Sequence, residues 1–502
     1  MPMKHLLAGV DLGSNSFRLA IGRVVTDDGA PQIYQVDRMK ETVRLAAGLD
    51  ADQNLDEATI ARAVSVLERF GERLRSFHPD SVRAVATNTF RVARNVAELH
   101  ARAEAALGFP IDVIAGREEA RLIFAGVAHS LPSAPDRRLI VDIGGGSTEC
   151  IIGAGFEPEL LESLPIGCVS YSRRFFPDGR IDADRMQRAE LAARREVQTI
   201  ARAYRRHGWQ QAFGSSGTAK ALAAILPATG LNEGGITAHG LAVLRERLIT
   251  AGTVDAAKLL DLKADRAAVL PGGLAIMRAL FQELDIETMQ SADGALRVGV
   301  LYDLLGRDAE QDKRHDTVRQ FMTRYEVDKA QAARVRETAL ALYAGIAGEA
   351  PAGADPTVGN LTQLLGWAAD LHECGLSISH SGFHKHAAYI LANADMPGFS
   401  RSEQRLLAAF CLGQQGKLSK PELALTTESQ WRALLCLRLA CLLCRRREDL
   451  AETPVRLHGK GKAFEMQADA QWLNEHPLTG YCLAAEGDEW KKVGLSLGLA
   501  AA

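Results

Sequence analysis

One segment of this chain is present twice. Val10-Asp-Leu-Gly-Ser-Asn-Ser-Phe-Arg-Leu-Ala-Ile-Gly22 returns 131 positions later as Val141-Asp-Ile-Gly-Gly-Gly-Ser-Thr-Glu-Cys-Ile-Ile-Gly153, with six of thirteen positions identical. Each copy is an apolar run, a turn of small residues and a second apolar run, which predicts a β-hairpin whose turn leaves its backbone accessible. Two such hairpins imply two related domains.

The pattern between and after the copies alternates. An amphipathic stretch over Asp56 to Phe77 predicts a helix, Ser81 to Ala86 a strand, Val92 to Leu107 a helix, Ile111 to Ile114 a strand and Glu118 to His129 a helix. The second unit mirrors this with a helix over Ala183 to His207 and turns at Gly214-Ser-Ser-Gly-Thr218 and Asp293-Gly294. Hairpins followed by strand and helix alternation predict α/β domains with mixed sheets, duplicated around a cleft. After about Arg307 strand signals vanish and helical periodicity runs to about Arg447, broken by the loop Gly348 to Gly359; short strands are then expected at Val455 to His458, Ala463 to Gln467 and Leu495 to Leu499. The expected partition is therefore 1–131, 132–306, 307–447 and 448–502.

A length of 502 residues supports several cores at roughly 100 to 200 residues per domain. Lys and Arg total 59 against 62 Asp and Glu, so no global field marks a nucleic-acid binder, and any polyanion site must be local. Eight cysteines without an export signal fit a reducing cytoplasm, with the membrane surface as a second location, and no apolar run reaches the ~18 residues of a span. Cys441 and Cys444 read as small core residues of one helix rather than a metal pair.

Three turns carry the chemistry. Gly13-Ser-Asn-Ser16, Gly144-Gly-Gly-Ser147 and Gly214-Ser-Ser-Gly-Thr218 offer consecutive backbone N–H groups and hydroxyls able to converge on an oxyanion. No Walker-type run is present, so the cradle is not a P-loop. Asp142 and Glu149 flank the second turn and Asp11 takes the matching place in the first, an oxygen set suited to Mg²⁺ beside phosphate; each Asp alone could equally form a turn. Glu149 is costly in an apolar strand without a partner. Gly116-Arg-Glu-Glu-Ala120 opens a helix at the sheet edge, where Glu118 and Glu119 could either complement the helix dipole or activate a water, and Arg91 follows the preceding strand as a forked donor for phosphate.

These residues resemble the exopolyphosphatase and guanosine pentaphosphate phosphohydrolase family, within the superfamily of actin, sugar kinases and heat-shock ATPases. The resemblance is carried by Asp11-Leu-Gly-Ser-Asn-Ser16, Gly116-Arg-Glu-Glu-Ala-Arg121, Val141-Asp-Ile-Gly-Gly-Gly-Ser-Thr-Glu149, Gly214-Ser-Ser-Gly-Thr218 and Ser291-Ala-Asp-Gly-Ala-Leu-Arg297. It implies two actin-like (ribonuclease H-like) domains, then a helical domain similar to a degenerate HD phosphohydrolase and a small C-terminal α+β domain, as in the long four-domain members, and a homodimer. It also implies roles: Glu119 activates water, Asp142 and Glu149 serve Mg²⁺, and Ser14, Asn15, Ser16, Gly144, Gly145, Gly146, Ser147, Ser216, Gly217 and Thr218 hold phosphate with Arg91 as clamp; Asp11, by its matching place in the repeat, is the candidate further ligand. In the helical domain His372-Glu373 replaces His-Asp, followed by His380, His384 and His386, and a scaffold or channel wall is expected there rather than catalysis.

The expected activity is processive exopolyphosphatase action, releasing orthophosphate from the end of inorganic polyphosphate, with guanosine pentaphosphate as the alternative substrate. A kinase of the superfamily and a non-catalytic actin-like nucleotide-binding module are the readings from other classes. Arg188, Arg195, Arg202 and Arg206 align on one face of the Ala183 to His207 helix over about 27 Å, a candidate polyphosphate path or an ordinary solvated face. Arg173-Arg174 and Arg445-Arg-Arg447 offer further charge.

Overall fold

The computed structural model describes residues 6–25, 31–132, 135–228, 235–255, 264–308, 312–346, 354–355, 359–421, 424–450, 453–460 and 462–501. These fall into two compact units, Met1–Asp312 and Lys313–Ala502.

The first unit holds two sheets built on one plan. Strands β1 (Leu6–Leu12), β2 (Ser16–Val25) and β3 (Gln32–Thr42) form an antiparallel meander, and helix α1 (Glu57–Leu74) leads to β4 (Val82–Ala86), parallel to β1. Helices α2 (Asn88–Val92) and α3 (Val96–Leu107) lead to β5 (Ile111–Val113), from which α4 (Gly116–Ala128) departs. The plan repeats in β6 (Arg137–Ile143), β7 (Thr148–Ala154) and β8 (Glu157–Leu164), followed by α5 (Cys168–Phe175), α6 (Ala183–His207), β9 (Gln211–Gly214) and α7 (Gly217–Ala228). It closes with β10 (Ile236–Thr237), α8 (Ala238–Ala251), α9 (Ala264–Ala267), α10 (Leu270–Leu284), β11 (Thr288–Ser291) and α11 (Leu296–Asp308). The orders are β3-β2-β1-β4-β5 and β10-β11-β9-β6-β7-β8, so apart from β10 the second sheet reproduces the neighbours and directions of the first.

Local chemistry explains the element ends. The Asp56 carboxylate accepts from the Thr59 amide at 2.7 Å and caps α1, and Asp182 does the same for α6 through the Arg185 amide at 2.8 Å. Helix α6 buries Met186, Ala189, Ala193, Val197, Ile200 and Tyr204 at spacings of three and four, and ends at Gly208, whose φ of 74° only glycine adopts without strain. The helix expected from Val92 to Leu107 begins at Val96 instead, and Val92 is the last residue of the short α2 before it.

The two halves exchange helices. Helix α4 follows the first sheet yet packs on β7 and β8 of the second, while α11 follows the second sheet and packs on β1, β2 and β4 of the first. Leu122 and Phe124 of α4 and Leu296 and Val300 of α11 share a buried cluster with Val85 of one sheet and Ile140 and Ile151 of the other. The backbones meet where side chains are absent: a Cβ on Gly299 would fall 1.7 Å from the Leu122 carbonyl oxygen, and one on Gly126 2.3 Å from that of Ala295.

The second unit is mainly helical, with Lys313–Arg324, Lys329–Ile346, Leu361–Leu371, Phe383–Asn393, Arg401–Gly413 and Glu428–Leu443 as its longer helices before the last strands. Of the Gly348 to Gly359 break, only 354–355 and 359 lie among the described residues; Ala354–Asp355 pairs there with Gly359–Asn360, a small ladder in a stretch expected to lack strands. Val455–Lys460, Ala463–Ala468 and Ser496–Ala501 form a three-stranded sheet whose Leu457, Phe464 and Leu497 join the same core as Trp367, Phe410 and Leu437 of the helices. Cys441 and Cys444 are free thiols, and burial raises both above the ordinary thiol range. Among the described residues no helix is long and apolar enough to cross a membrane.

The glycine contact makes a prediction. Gly299→Ala should destabilise the chain by about 1–3 kcal/mol, the usual cost of overpacking, read by urea unfolding. A change below about 0.5 kcal/mol would mean that the crossing yields readily.

Candidate active site

The ends of β1, β4, β6 and β9 and the first turns of α4, α7 and α11 surround a cavity of about 110 Å³. Its lining includes Asp11, Gly13 to Ser16, Arg18, Thr87, Glu119, Asp142, Gly144 to Ser147, Ser215 to Gly217, Arg266 and Leu296. Most residues singled out in the sequence therefore meet at one place, although they come from positions up to some two hundred residues apart.

Both hairpin turns are held through two successive carbonyls, displaced by one position between the copies. The Ser14 carbonyl accepts from the Ala46 amide at 2.9 Å, and that of Asn15 from Val43 and Arg44 at 3.1 and 2.8 Å. In the second copy the Gly144 carbonyl accepts from Cys168 at 2.9 Å, and that of Gly145 from Val169 and Ser170 at 3.0 and 3.2 Å. A trans peptide points its N–H opposite its C=O, so the amides of Asn15, Ser16, Gly145 and Gly146 face away from these anchors in turns that line the cavity. The second turn presses on the first and on α2: a Cβ on Gly145 would lie 3.0 Å from the Ser14 Cβ, and one on Gly146 2.3 Å from Asn88 Oδ1.

At the third turn the Ser215 hydroxyl donates to Asp142 Oδ2 at 2.6 Å, and Ser216 Oγ accepts from the Ala219 amide at 3.0 Å, capping α7. Thr218, expected among the phosphate ligands, turns its hydroxyl to the Ile143 carbonyl at 3.4 Å and does not line the cavity. The Thr87 hydroxyl donates likewise to the Leu12 carbonyl in the first half, also at 3.4 Å, although Thr87 does line the cavity.

Asp142 and Glu149 are cross-strand partners in the second hairpin. The matching pair in the first is Asp11 and Arg18. Glu149 is buried and accepts from the Ser163 hydroxyl at 2.8 Å. Arg91, expected as a phosphate clamp, instead donates to Glu119 Oε2 at 2.9 Å and to the Ile114 carbonyl at 2.8 Å, so it holds the carboxylate that faces the cavity.

Loss of water raises all four acids above the usual carboxylate range. Burial pushes Asp11 up to about 7, with Glu119 and Asp142 adding to the rise and Arg18 and Arg297 opposing it. Glu119 is raised by burial and the Asp142 charge against the pull of Arg91; Asp142 by burial against its Ser215 bond; and Glu149 well up by burial and by the charges of Glu119 and Asp142. Acids crowded in this way invite a cation. Among the described residues no three His, Cys, Asp or Glu side chains close around one point at metal-binding range, in either unit. The cleft carboxylates fit a hard cation that keeps waters and takes part of its shell from a bound phosphate rather than one fully caged by protein.

Residues 24–308 match the model of the Ppx/GppA phosphatase family, and residues 314–487 match that of Ppx/GppA phosphatase domain III. The chain belongs to the Ppx/GppA phosphatase family. Its fold is similar to that of an exopolyphosphatase from Cytophaga hutchinsonii, at 24% identity and a TM-score of 0.54 over 60% of this chain and 98% of the other. It is also similar to the Aquifex aeolicus family member, at 24% identity and a TM-score of 0.50 over 61% and 99%. Membership in the Ppx/GppA family makes the chain a phosphohydrolase, and its multidomain α/β architecture is that of the family.

Sequence reasoning missed two cavity arginines. Arg18 could have been found, since the repeat aligns it with Glu149 and a charge in an apolar strand drew attention only in the second copy. Arg266 carries no such signal; it lies so close to Gly217 that a Cβ there would be 2.6 Å from its guanidinium. The stripe residues Arg188, Arg195, Arg202 and Arg206 are all exposed, and the first two pair with Asp184 and Glu196 of the same helix at 2.9 and 2.6 Å. Arg173 donates to the carbonyls of Ala46 and Leu49, at 2.6 and 2.9 Å.

In the second unit, His372 Nδ1 bonds the Ala369 carbonyl at 2.6 Å, Glu373 pairs with Arg447 at 2.7 Å and His384 Nδ1 meets Gln415 at 2.8 Å. His380 is exposed and His386 half-buried.

The raised acids set a pH dependence. An acid whose folded value lies above its unfolded one holds a proton that the unfolded chain releases, so its contribution is complete below the unfolded value and is lost as pH climbs through the folded value. For Asp11 this window runs from 3.8 to about 7. In chelator, Asp11→Asn should therefore gain melting temperature relative to the parent as pH rises across that window. A difference that stays constant across it would overturn the assignment.

Proposed function

We propose that the chain is an exopolyphosphatase that removes the terminal phosphate of inorganic polyphosphate as orthophosphate by attack of water. The observation that carries this reading is the position of Glu119, a carboxylate held by Arg91 at 2.9 Å and opening onto a cavity lined by three turns of amides and hydroxyls. In-line displacement on phosphorus needs little covalent help from protein; it needs oxygens held still and a water aimed and deprotonated.

The amides of Asn15, Ser16, Gly145 and Gly146, with the hydroxyls of Ser14, Ser16, Ser147 and Ser216, hold the oxygens of the terminal phosphate. Glu119 accepts the proton of the attacking water, and its burial makes it more basic than a solvated carboxylate. Arg18 and Arg266 supply positive charge at the same cavity. Asp142 and Glu149, with Asp11, would hold Mg²⁺ partly through its waters, since these three side chains do not close around one point. When bound, that ion would neutralise charge on the phosphate oxygens.

Guanosine pentaphosphate presents the same terminal anhydride and is the second substrate to be tried, side by side with polyphosphate on the purified chain. Orthophosphate release from the nucleotide alone would overturn the polyphosphate assignment. Glu119→Gln keeps the volume and removes the basicity, so kcat should fall by roughly two to four orders of magnitude while substrate still binds. Near-normal turnover would remove Glu119 from the mechanism. Chelation should abolish release, and Asp142→Asn or Glu149→Gln should raise the Mg²⁺ concentration needed for half-maximal rate; an unchanged requirement in both variants would put the ion elsewhere.

A further inference from the structure

Glu118 and Glu119 stand side by side on the first turn of α4, about 100° apart around the helix. Only Glu119 lines the cavity. Glu118 meets Arg121 in a two-pronged pair, with Nε to Oε2 and Nη2 to Oε1 both at 2.8 Å. Arg83 of β4 brings its Nη2 to 3.8 Å from Glu118 Oε1 and its Nε to 3.5 Å from Asp112 of β5. Asp303 of α11 closes the group, pairing one oxygen with Arg83 and the other with Arg121. The side chains of Glu118, Arg83 and Asp303 are 2%, 4% and 6% exposed, so water cannot stand in for a missing partner.

This cage joins four elements beside the cavity. Helix α4 has no side-chain cap, since Ala115 precedes it, and its first turn is therefore fixed from the flank rather than from its end. The same α11 that supplies Asp303 contributes Leu296 to the cavity wall. Arg91 restrains the Glu119 carboxylate itself, whereas the cage restrains the backbone from which it projects.

We infer that Glu118 is a positioning residue for Glu119: through Arg121, Arg83 and Asp303 it fixes the first turn of α4 against β4 and α11, and so sets where the base meets its water. The inference rests on Glu119 being the base. Buried ion clusters can be replaced by other groups with no loss of fold, so the test has to separate position from stability.

Glu118→Gln should lower kcat by roughly ten- to a hundredfold with KM changed less than about threefold, since a misplacement near 1 Å costs on that order. Removing one charge also leaves Arg121 short of a partner, so a second variant combines Glu118→Gln with Arg121→Gln and keeps the charge balance. It should melt close to the parent and still turn over slowly. In a Glu119→Gln background, Glu118→Gln should lower the residual rate no further, because the group it positions is gone.

Three results would each overturn the inference: Glu118→Gln turnover close to the parent's, recovery of turnover along with stability in the paired variant, or the same loss with and without the Glu119 carboxylate. If Glu119→Gln itself turns over normally, the base assignment and the inference fall together. A slow Glu119→Gln beside a fast Glu118→Gln sinks the positioning role alone.

Discussion

The architecture of the first unit depends on the crossing of α4 and α11. Each helix leaves one sheet and packs on the other, and the two come close enough at Gly126 and Gly299 for backbone to touch backbone. Interiors are packed to crystal density, so a contact of this kind has few alternatives once formed. The first turn of α4 carries Glu119 and that of α11 carries Leu296, so the same crossing brings two walls of the cavity into register.

Against that rigid frame stand four acids that burial, and for all but Asp142 the charge of a neighbouring acid, works to protonate. A chain selected for stability alone would not gather them. Their partners only partly compensate: Arg91 on Glu119, Ser215 on Asp142, Ser163 on Glu149, and the fields of Arg18 and Arg297 on Asp11. Strain of this sort collects where a site must meet charge brought in from outside. The buried charges around Glu118 are more fully matched, because Arg121 meets both oxygens of that carboxylate at hydrogen-bonding range.

Much of this was legible in the residues. The repeat gave both hairpins, and their registers pair Asp11 with Arg18 and Asp142 with Glu149. Helical periodicity with an Asp cap and a Gly stop gave α6 its full span, Ala183–His207. Short alternating runs gave the last three strands to within a few residues. What stayed hidden was partnership at a distance. Nothing in sequence says that Arg91 would reach Glu119, that the Thr218 hydroxyl would turn inward to a strand carbonyl, or that Asp303 would sit between two arginines some two hundred residues upstream. Such contacts follow from the crossing of helices, which a one-dimensional pattern does not record.

The two hairpins match in register, yet one carries Arg18 where the other carries Glu149. A gene duplication yields a fold with twofold resemblance and, left alone, a cleft whose two banks are equivalent. Reversing the sign at one position breaks that equivalence and gives the cleft a left and a right. Of Arg18 and Glu149, only Arg18 lines the cavity, so an anion held there meets the two hairpins unequally, and its pose is set by the fold rather than by any asymmetry of its own.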